Sequence, residues 1–486
     1  MSSRTKSIIL VVAVLQLALV VGLFALPRVV QALPGRYLVR LQSHRLTSGV
    51  VELVTTPLPQ ALPVAEAGGR TAVAVVDAPE IPGLDEPDAM DISPVVAPAV
   101  SQPTATPTAT PEQTTTLVEE AAAATATPPP ATPTATPLPT FTPMPIPEQV
   151  TLDGLISIVQ GFNNCGPANM VIALDYWGDE TTQQEAASYL KPNEEDRNVS
   201  AWQISDYVND FTSLRSTVHV GGDLDTVRRL VAAGFPVVIE KGYEPQSGTE
   251  GWYGHYLTVY GYDDARQEFY SRDTYLGPFN GRPRIDSYRE FLHWWQHFNY
   301  TFYVIYPPNR EAEVMAIIPD YLENEWSMWQ YAADLSRSEL EEDPENVFTL
   351  FNLGVALTRL GQNASAETVA NYDESVNIAY YEEATEIFDQ ARALGLPPRT
   401  LYYEHRPLMA YYKVGRFQDV LDLTASLLET PGGKWVEEIY WYRGHALATV
   451  GALVEAREAY MKALEVNENF YPAQTSLDWV NSLLES

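Results

Sequence analysis

Between Pro103 and Pro147 the chain carries twelve prolines in 45 residues, set in a background of mostly threonine and alanine. Such a segment shows neither helical nor strand periodicity, and each proline removes a backbone donor that regular structure would need. It favours extended polyproline geometry and cannot bury a core. At ~3.1 Å per residue it reaches at most about 140 Å. Anything that packs around a core must therefore lie to one side of this stalk or the other.

Upstream, Ile8 to Leu26 is apolar except for Gln16 and Gly22. As a helix it would span roughly 29 Å, about the thickness of a bilayer's hydrocarbon core. With Arg4 and Lys6 before it, the segment 1–31 reads as a membrane anchor. A cleaved signal peptide is the alternative, with Val30-Gln31-Ala32 as its site. Residues 32–102 contain two short strand-like runs, 50–55 and 71–76, and support no domain assignment. Anchor (1–31), stalk (103–147) and a downstream folded region make the layout of a single-pass membrane protein with its globular part outside the cytoplasm. Signal cleavage would make it secreted instead. The formal charge of -33, from 30 basic and 63 acidic residues, excludes the basic footprint that nucleic-acid binding needs. It equally disfavours docking on anionic lipid.

Downstream of Pro147, aromatic and β-branched residues become common. Between 148 and 308 the patterning predicts helices at 166–178, 182–190, 223–233 and 286–297. Strands are expected at 217–220, 236–241, 256–262, 267–271 and 300–306. That order predicts an α+β domain. Residues 320–486 read as wholly helical with an internal repeat. With Glu437 as the first position of a 34-residue unit, Tyr440, Gly444, Leu447, Ala456, Tyr460 and Ala463 fall on tetratricopeptide positions. An earlier unit starts near Val347, interrupted by an insertion of about 18 residues, and a degenerate one spans 401–434. This resembles a tetratricopeptide array, whose stacked helix pairs form a groove suited to a protein partner.

Cys165 is the only cysteine, which rules out an internal disulfide and a paired-thiolate zinc site. It lies in Gln160-Gly-Phe-Asn-Asn-Cys165-Gly-Pro-Ala-Asn-Met170, at the start of an expected helix. A thiol there feels the positive end of the helix dipole, which favours thiolate. A nucleophilic thiol needs a base, a group to orient that base, and donors for the oxyanion. His293 and His297 have zinc-binding spacing but sit among aromatic residues on a helix, so they read as packing. His219 alternates within a strand and reads as structural. His255 and Asp273 each stand nine residues from Asp264, the centre of a predicted hairpin. An odd-length loop would set them opposite each other, with Cβ atoms ~5 Å apart; an even loop would put Asp273 on the other face. His255 shares a strand face with Leu257 and Val259, the face expected to look toward the cysteine helix. Gln160 and the Cys165 backbone N–H are candidate oxyanion donors.

Taken together, Gln160, Asn164-Cys165-Gly166-Pro167-Ala168, Gly254-His255-Tyr256, Gly261-Tyr262-Asp263 and Asp273 resemble the papain-like cysteine peptidases related to the bacteriocin-leader-processing family, family thirty-nine of the cysteine peptidases. The resemblance covers 148–308, about one third of the chain. It implies Cys165 as nucleophile, His255 as general base and acid, Asp273 as its orienting group and Gln160 as oxyanion donor. It implies a peptide or protein substrate and no metal or other cofactor. Asp273 is followed by Thr274, where that family often has proline. The chain shows neither a multi-span transporter nor a phosphate-binding loop, so the leader-removing role of transporter-fused relatives is not implied. Other expectations for the same residues are a non-catalytic peptide-binding scaffold, or a related acyl transfer of the amidase or transglutaminase type.

Overall fold

The computed structural model describes residues 61–64, 145–244, 251–430 and 432–486. The expected anchor, almost all of the stalk and most of 32–102 lie outside the described residues. Among the described residues, no helix is long and apolar enough to cross a membrane. Residues 146–486 belong to one compact unit.

Its first part is built on an antiparallel seven-stranded sheet. The strands are β1 (Gln149–Thr151), β2 (Arg215–His219), β3 (Val237–Tyr243), β4 (Tyr253–Asp263), β5 (Glu268–Arg272), β6 (Arg284–Ser287) and β7 (Phe302–Tyr306). Their order is β2-β7-β3-β4-β5-β6, and β1 adds to the far end of β4. The helices α1 (Cys165–Tyr176), α2 (Gln183–Leu190), α3 (Ala201–Phe211), α4 (Leu224–Ala232) and α5 (Tyr288–Gln296) belong to the same α+β part. Met170 and Leu174 of α1 and Ile204 and Val208 of α3 pack with Val238, Tyr256, Tyr303 and Ile305 on one face of the sheet. On the other face Val227 and Leu230 of α4 and Phe291 and Trp295 of α5 pack with Ile239, Leu257, Val259 and Val304. Cover on both faces explains why β3, β4 and β7 are almost continuously buried rather than alternating between buried and exposed.

Three elements between 148 and 308 differ from the sequence expectation, the short strand β1 being the first. The helix α3 starts with a reciprocal capping box between Ser200 and Gln203, a signal present in the sequence but masked by the polar residues that follow it. At 284–287, partly assigned above to a helix, the chain instead forms an edge strand. Ser287 then caps α5 by accepting the Glu290 N–H, which fixes the helix start at Tyr288.

The second part is helical: α6 (Glu325–Glu342), α7 (Val347–Asn363), α8 (Ser375–Ala393), α9 (Arg406–Lys413), α10 (Phe417–Leu428), α11 (Glu437–Thr449), α12 (Leu453–Val466) and α13 (Tyr471–Glu485). Gly354 of α7 lies under the Phe388 ring of α8, and Gly444 of α11 under the Tyr460 ring of α12. A Cβ at either glycine would stand 2.4 Å from the ring above it, so neither position admits a side chain without displacement. The same glycine-under-aromatic contact thus closes two helix pairs, with the longer 364–374 connection in the first. One apolar cluster runs from the α4/α5 face of the sheet into these helices. Trp202 stacks on Trp329, His297 stacks on Phe348 at 3.6 Å, and the Asn352 amide donates to the Gln296 carbonyl at 2.6 Å.

Candidate active site

Cys165 opens α1. Asn164 occupies the N-cap position but makes no side-chain cap bond; its amide turns to Gln183 Oε1 at 3.3 Å instead. The amides of the first turn therefore stay clear of a capping oxygen. Gly166 to Leu174 is buried without a break, which anchors the helix under the sheet and holds the half-buried thiol at its end. Burial works to raise the thiol's pKa. The hydrogen bond and charge of His255 outweigh it, aided by the Tyr256 N–H and by Lys191, so the thiol is held below its ordinary value. Lys191 is fixed for this by donating to the Asp196 carbonyl at 2.9 Å.

His255 reaches Asp273 by a route the sequence left open. The β4–β5 loop, 264–267, has even length: Asp263 pairs with Glu268. That parity alone would turn Asp273 to the wrong face. A β-bulge between Val259 and Gly261 inserts one residue in β4, so Thr258 pairs with Arg272. One step further, Asp273 falls level with Leu257, a diagonal neighbour of His255 on the same face. His255 Nε2 and Asp273 Oδ1 are 2.9 Å apart. The face expectation is corrected as well. Leu257 and Val259 pack toward α4 and α5, whereas Tyr256 packs with the α1 side and Thr258 bonds Asn169 of that helix. Imidazole and thiol thus meet at the end of the strand rather than across its helix-facing side. With Nε2 committed to Asp273, Nδ1 is the ring nitrogen left for the sulfur.

The Asp273 side chain is 0% exposed. Its Oδ1 also accepts the Tyr275 and Leu276 N–H groups at 2.9 and 2.8 Å, and its Oδ2 accepts Arg284 Nη1 at 2.8 Å. Burial would raise the carboxyl. The charge and hydrogen bond of His255, the Leu276 amide and Arg284 together hold it well below the usual carboxylate range. Burial likewise works against a charged His255, but Asp273 and Cys165 outweigh it and lift the ring to about 9. An exposed pair of this kind contributes about 0–1 kcal/mol. In a buried one, removing either partner strands the other at a cost of about 3–5 kcal/mol, so the site holds together only as a set.

Gln160 joins this set through residues that sequence reasoning missed. Thr274 Oγ1 donates to Gln160 Oε1 at 2.8 Å, and Gln160 N donates to the Thr274 carbonyl at 2.8 Å. The Gln160 side-chain N–H groups are thereby turned away from Thr274. Asn169 Nδ2 contacts the Cys165 carbonyl at 2.9 Å, the Tyr256 carbonyl at 3.0 Å and Thr274 Oγ1 at 3.2 Å, while its Oδ1 accepts from Thr258 at 2.8 Å. This buried amide ties together the segments that carry Cys165, His255 and Asp273. The available signal was a single asparagine inside an apolar helix. Thr274, a departure from the expected proline, supplies the hydroxyl that links Asn169 to Gln160.

Two other histidines have different surroundings. His297 Nδ1 accepts the Trp252 indole N–H at 2.9 Å, and burial pushes the ring down to about 3, which suits its stacked position. His219 bonds the Leu322 carbonyl and is pushed down to about 4 by burial. Among the described residues no group of His, Cys, Asp and Glu is arranged to hold a metal ion.

The sequence model of the C39-like peptidase family matches residues 144–302, so that stretch carries a C39-like peptidase domain. No curated protein matches the chain. Among solved structures, a Bacillus anthracis protein described as a C39-like peptidase is 16% identical. The match covers 32% of this chain and 96% of that one, with a TM-score of 0.27.

The shifted groups set a pH dependence of stability. His255 is raised above its ordinary 6.5, so its contribution is complete below about pH 6.5 and lost as pH rises through about 9. The lowered thiol acts in the opposite sense, adding stability above its own folded value and up to its ordinary 9.0. Cys165→Ala removes the opposing contribution. With Asp273 still holding His255 above 6.5, urea unfolding of that variant is expected to show stability falling more steeply just above pH 6.5 than in the unmodified chain. The range of that fall ends below pH 9, because the thiolate's share of the raise is gone. Equal slopes would contradict the pairing.

Proposed function

We propose that this chain is a cysteine peptidase that cleaves peptide bonds through Cys165, His255 and Asp273. The observation that carries the reading is a buried His255 held 2.9 Å from the buried Asp273 carboxylate and facing the half-buried thiol of Cys165, whose proton it favours taking. In this mechanism His255 holds the proton of Cys165, and the thiolate adds to the substrate carbonyl. The negative charge that develops on oxygen is met by the Cys165 N–H and the Gln160 amide. As the tetrahedral intermediate collapses, the C–N bond breaks and His255 gives its proton to the departing amine, leaving a thioester. His255 then takes a proton from water, whose oxygen attacks the thioester and releases the acid. Asp273 holds the ring in the required tautomer throughout.

The helical part is read as a tetratricopeptide-like array that engages a protein partner or substrate. The matched contacts Gly354–Phe388 and Gly444–Tyr460 support that reading. The apolar run 8–26 and the proline-rich stalk support a membrane tether with the enzyme held outside the cytoplasm.

Alkylation by iodoacetamide tests the chemistry. At pH 6 Cys165 should react at least tenfold faster than the thiol of a short peptide, and His255→Ala should abolish the advantage. Equal rates, or an unchanged rate in His255→Ala, would overturn the assignment, and a C165-labelling chain that cleaves no peptide would favour the other acyl transfers. For the tether, protease treatment of intact cells should release a fragment containing 148–486; complete protection would contradict an outward-facing enzyme.

A further inference from the structure

The strand that carries His255 is poorly supported by its own sheet at that point. β5 ends at Arg272, level with Thr258, so among the described residues Tyr253–Leu257 has β3 as its only strand neighbour. What else holds it comes partly from the helical part. The Tyr403 ring packs directly against the backbone of Gly254, one residue before His255. The Tyr403 ring lies edge-on to Trp252 at 5.8 Å and to Phe298 at 5.6 Å. Gly254 accommodates this only because it lacks a side chain: a Cβ would sit 2.5 Å from Phe298 and 3.0 Å from the Tyr403 ring. Arg399, in the turn before Tyr403, donates to the Trp252 carbonyl at 3.4 Å.

The helical part also braces the other side of the thiol. The loop after α2 carries Lys191, which acts on the thiol, and it is held at both ends. The Asn198 amide donates to the Tyr403 carbonyl at 3.3 Å, and the Asn469 amide donates to the Tyr189 carbonyl at 3.1 Å. Tyr403 thus touches both segments that set the thiol's environment, through its ring on one and its carbonyl on the other.

We infer that the helical part is a constituent of the active centre, with Tyr403 as a positioning residue that fixes the His255 end of β4 against the Cys165 side of the site. The inference rests on the peptidase reading but asks more of it. A partner that shifts the 398–405 segment would change the reactivity of Cys165 without touching it.

The test uses the full chain and iodoacetamide as probe, with rates measured from pH 5 to 9. Tyr403→Ala should slow labelling at pH 6 at least fivefold and move the midpoint of the pH profile upward. Tyr403→Phe keeps the ring against Gly254, Trp252 and Phe298, so it should fold as the parent does and restore a parent-like midpoint. Parent-like rates and midpoints in both variants, beside a His255→Ala chain that has lost the rapid reaction, would overturn this inference alone. A parent-like profile in His255→Ala would overturn the peptidase reading and this inference with it.

Discussion

A histidine held between a buried carboxylate and a thiol is the constraint on which the rest of this molecule turns. Neither charge is stable there by itself, since desolvation opposes both the imidazolium and the carboxylate. Each is kept by the other and by fixed donors: the Tyr275 and Leu276 amides and the Arg284 guanidinium on Asp273, and the Tyr256 amide on Cys165. The seven-stranded sheet, the capped helix starts and the bulge in β4 can be understood as the means of bringing those groups to one point.

The bulge shows how narrow the requirement is. Strand side chains alternate, so one residue more or fewer in the β4–β5 hairpin sends Asp273 to the opposite face. The loop supplies the wrong parity and the irregularity between Val259 and Gly261 reverses it. Asn169 then performs a second alignment, bonding carbonyls on α1 and β4 and the hydroxyl of Thr274 at once. A buried amide with so many partners is costly to move, which makes it a rigid pivot rather than a flexible contact.

Much of this was legible in the sequence where local rules decide. The cysteine at a helix start, the helical run behind it and the hairpin carrying His255 all follow from composition and periodicity. What escaped was set by tertiary context. The helix α3 was hidden because Gln203, Ser205, Asp206 and Asn209 dilute its apolar stripe, although the capping box was present. The face of His255 was misjudged because both faces of the sheet are covered, so apolar neighbours could not say which helix lay above them. Thr274 read as a blemish until its hydroxyl was seen to bridge Asn169 and Gln160. Contacts between Tyr403 and Gly254, some 150 residues apart, have no local signature.

The central claim is that His255 is charged at neutral pH because Asp273 and Cys165 hold it so. Nuclear magnetic resonance of ¹⁵N-labelled histidine reads this directly. In the unmodified chain one imidazole should remain protonated on both nitrogens through pH 8 and lose its proton near pH 9. That resonance should disappear in His255→Ala. A His255 ring that is neutral at pH 7 and titrates near its ordinary 6.5 would contradict the account.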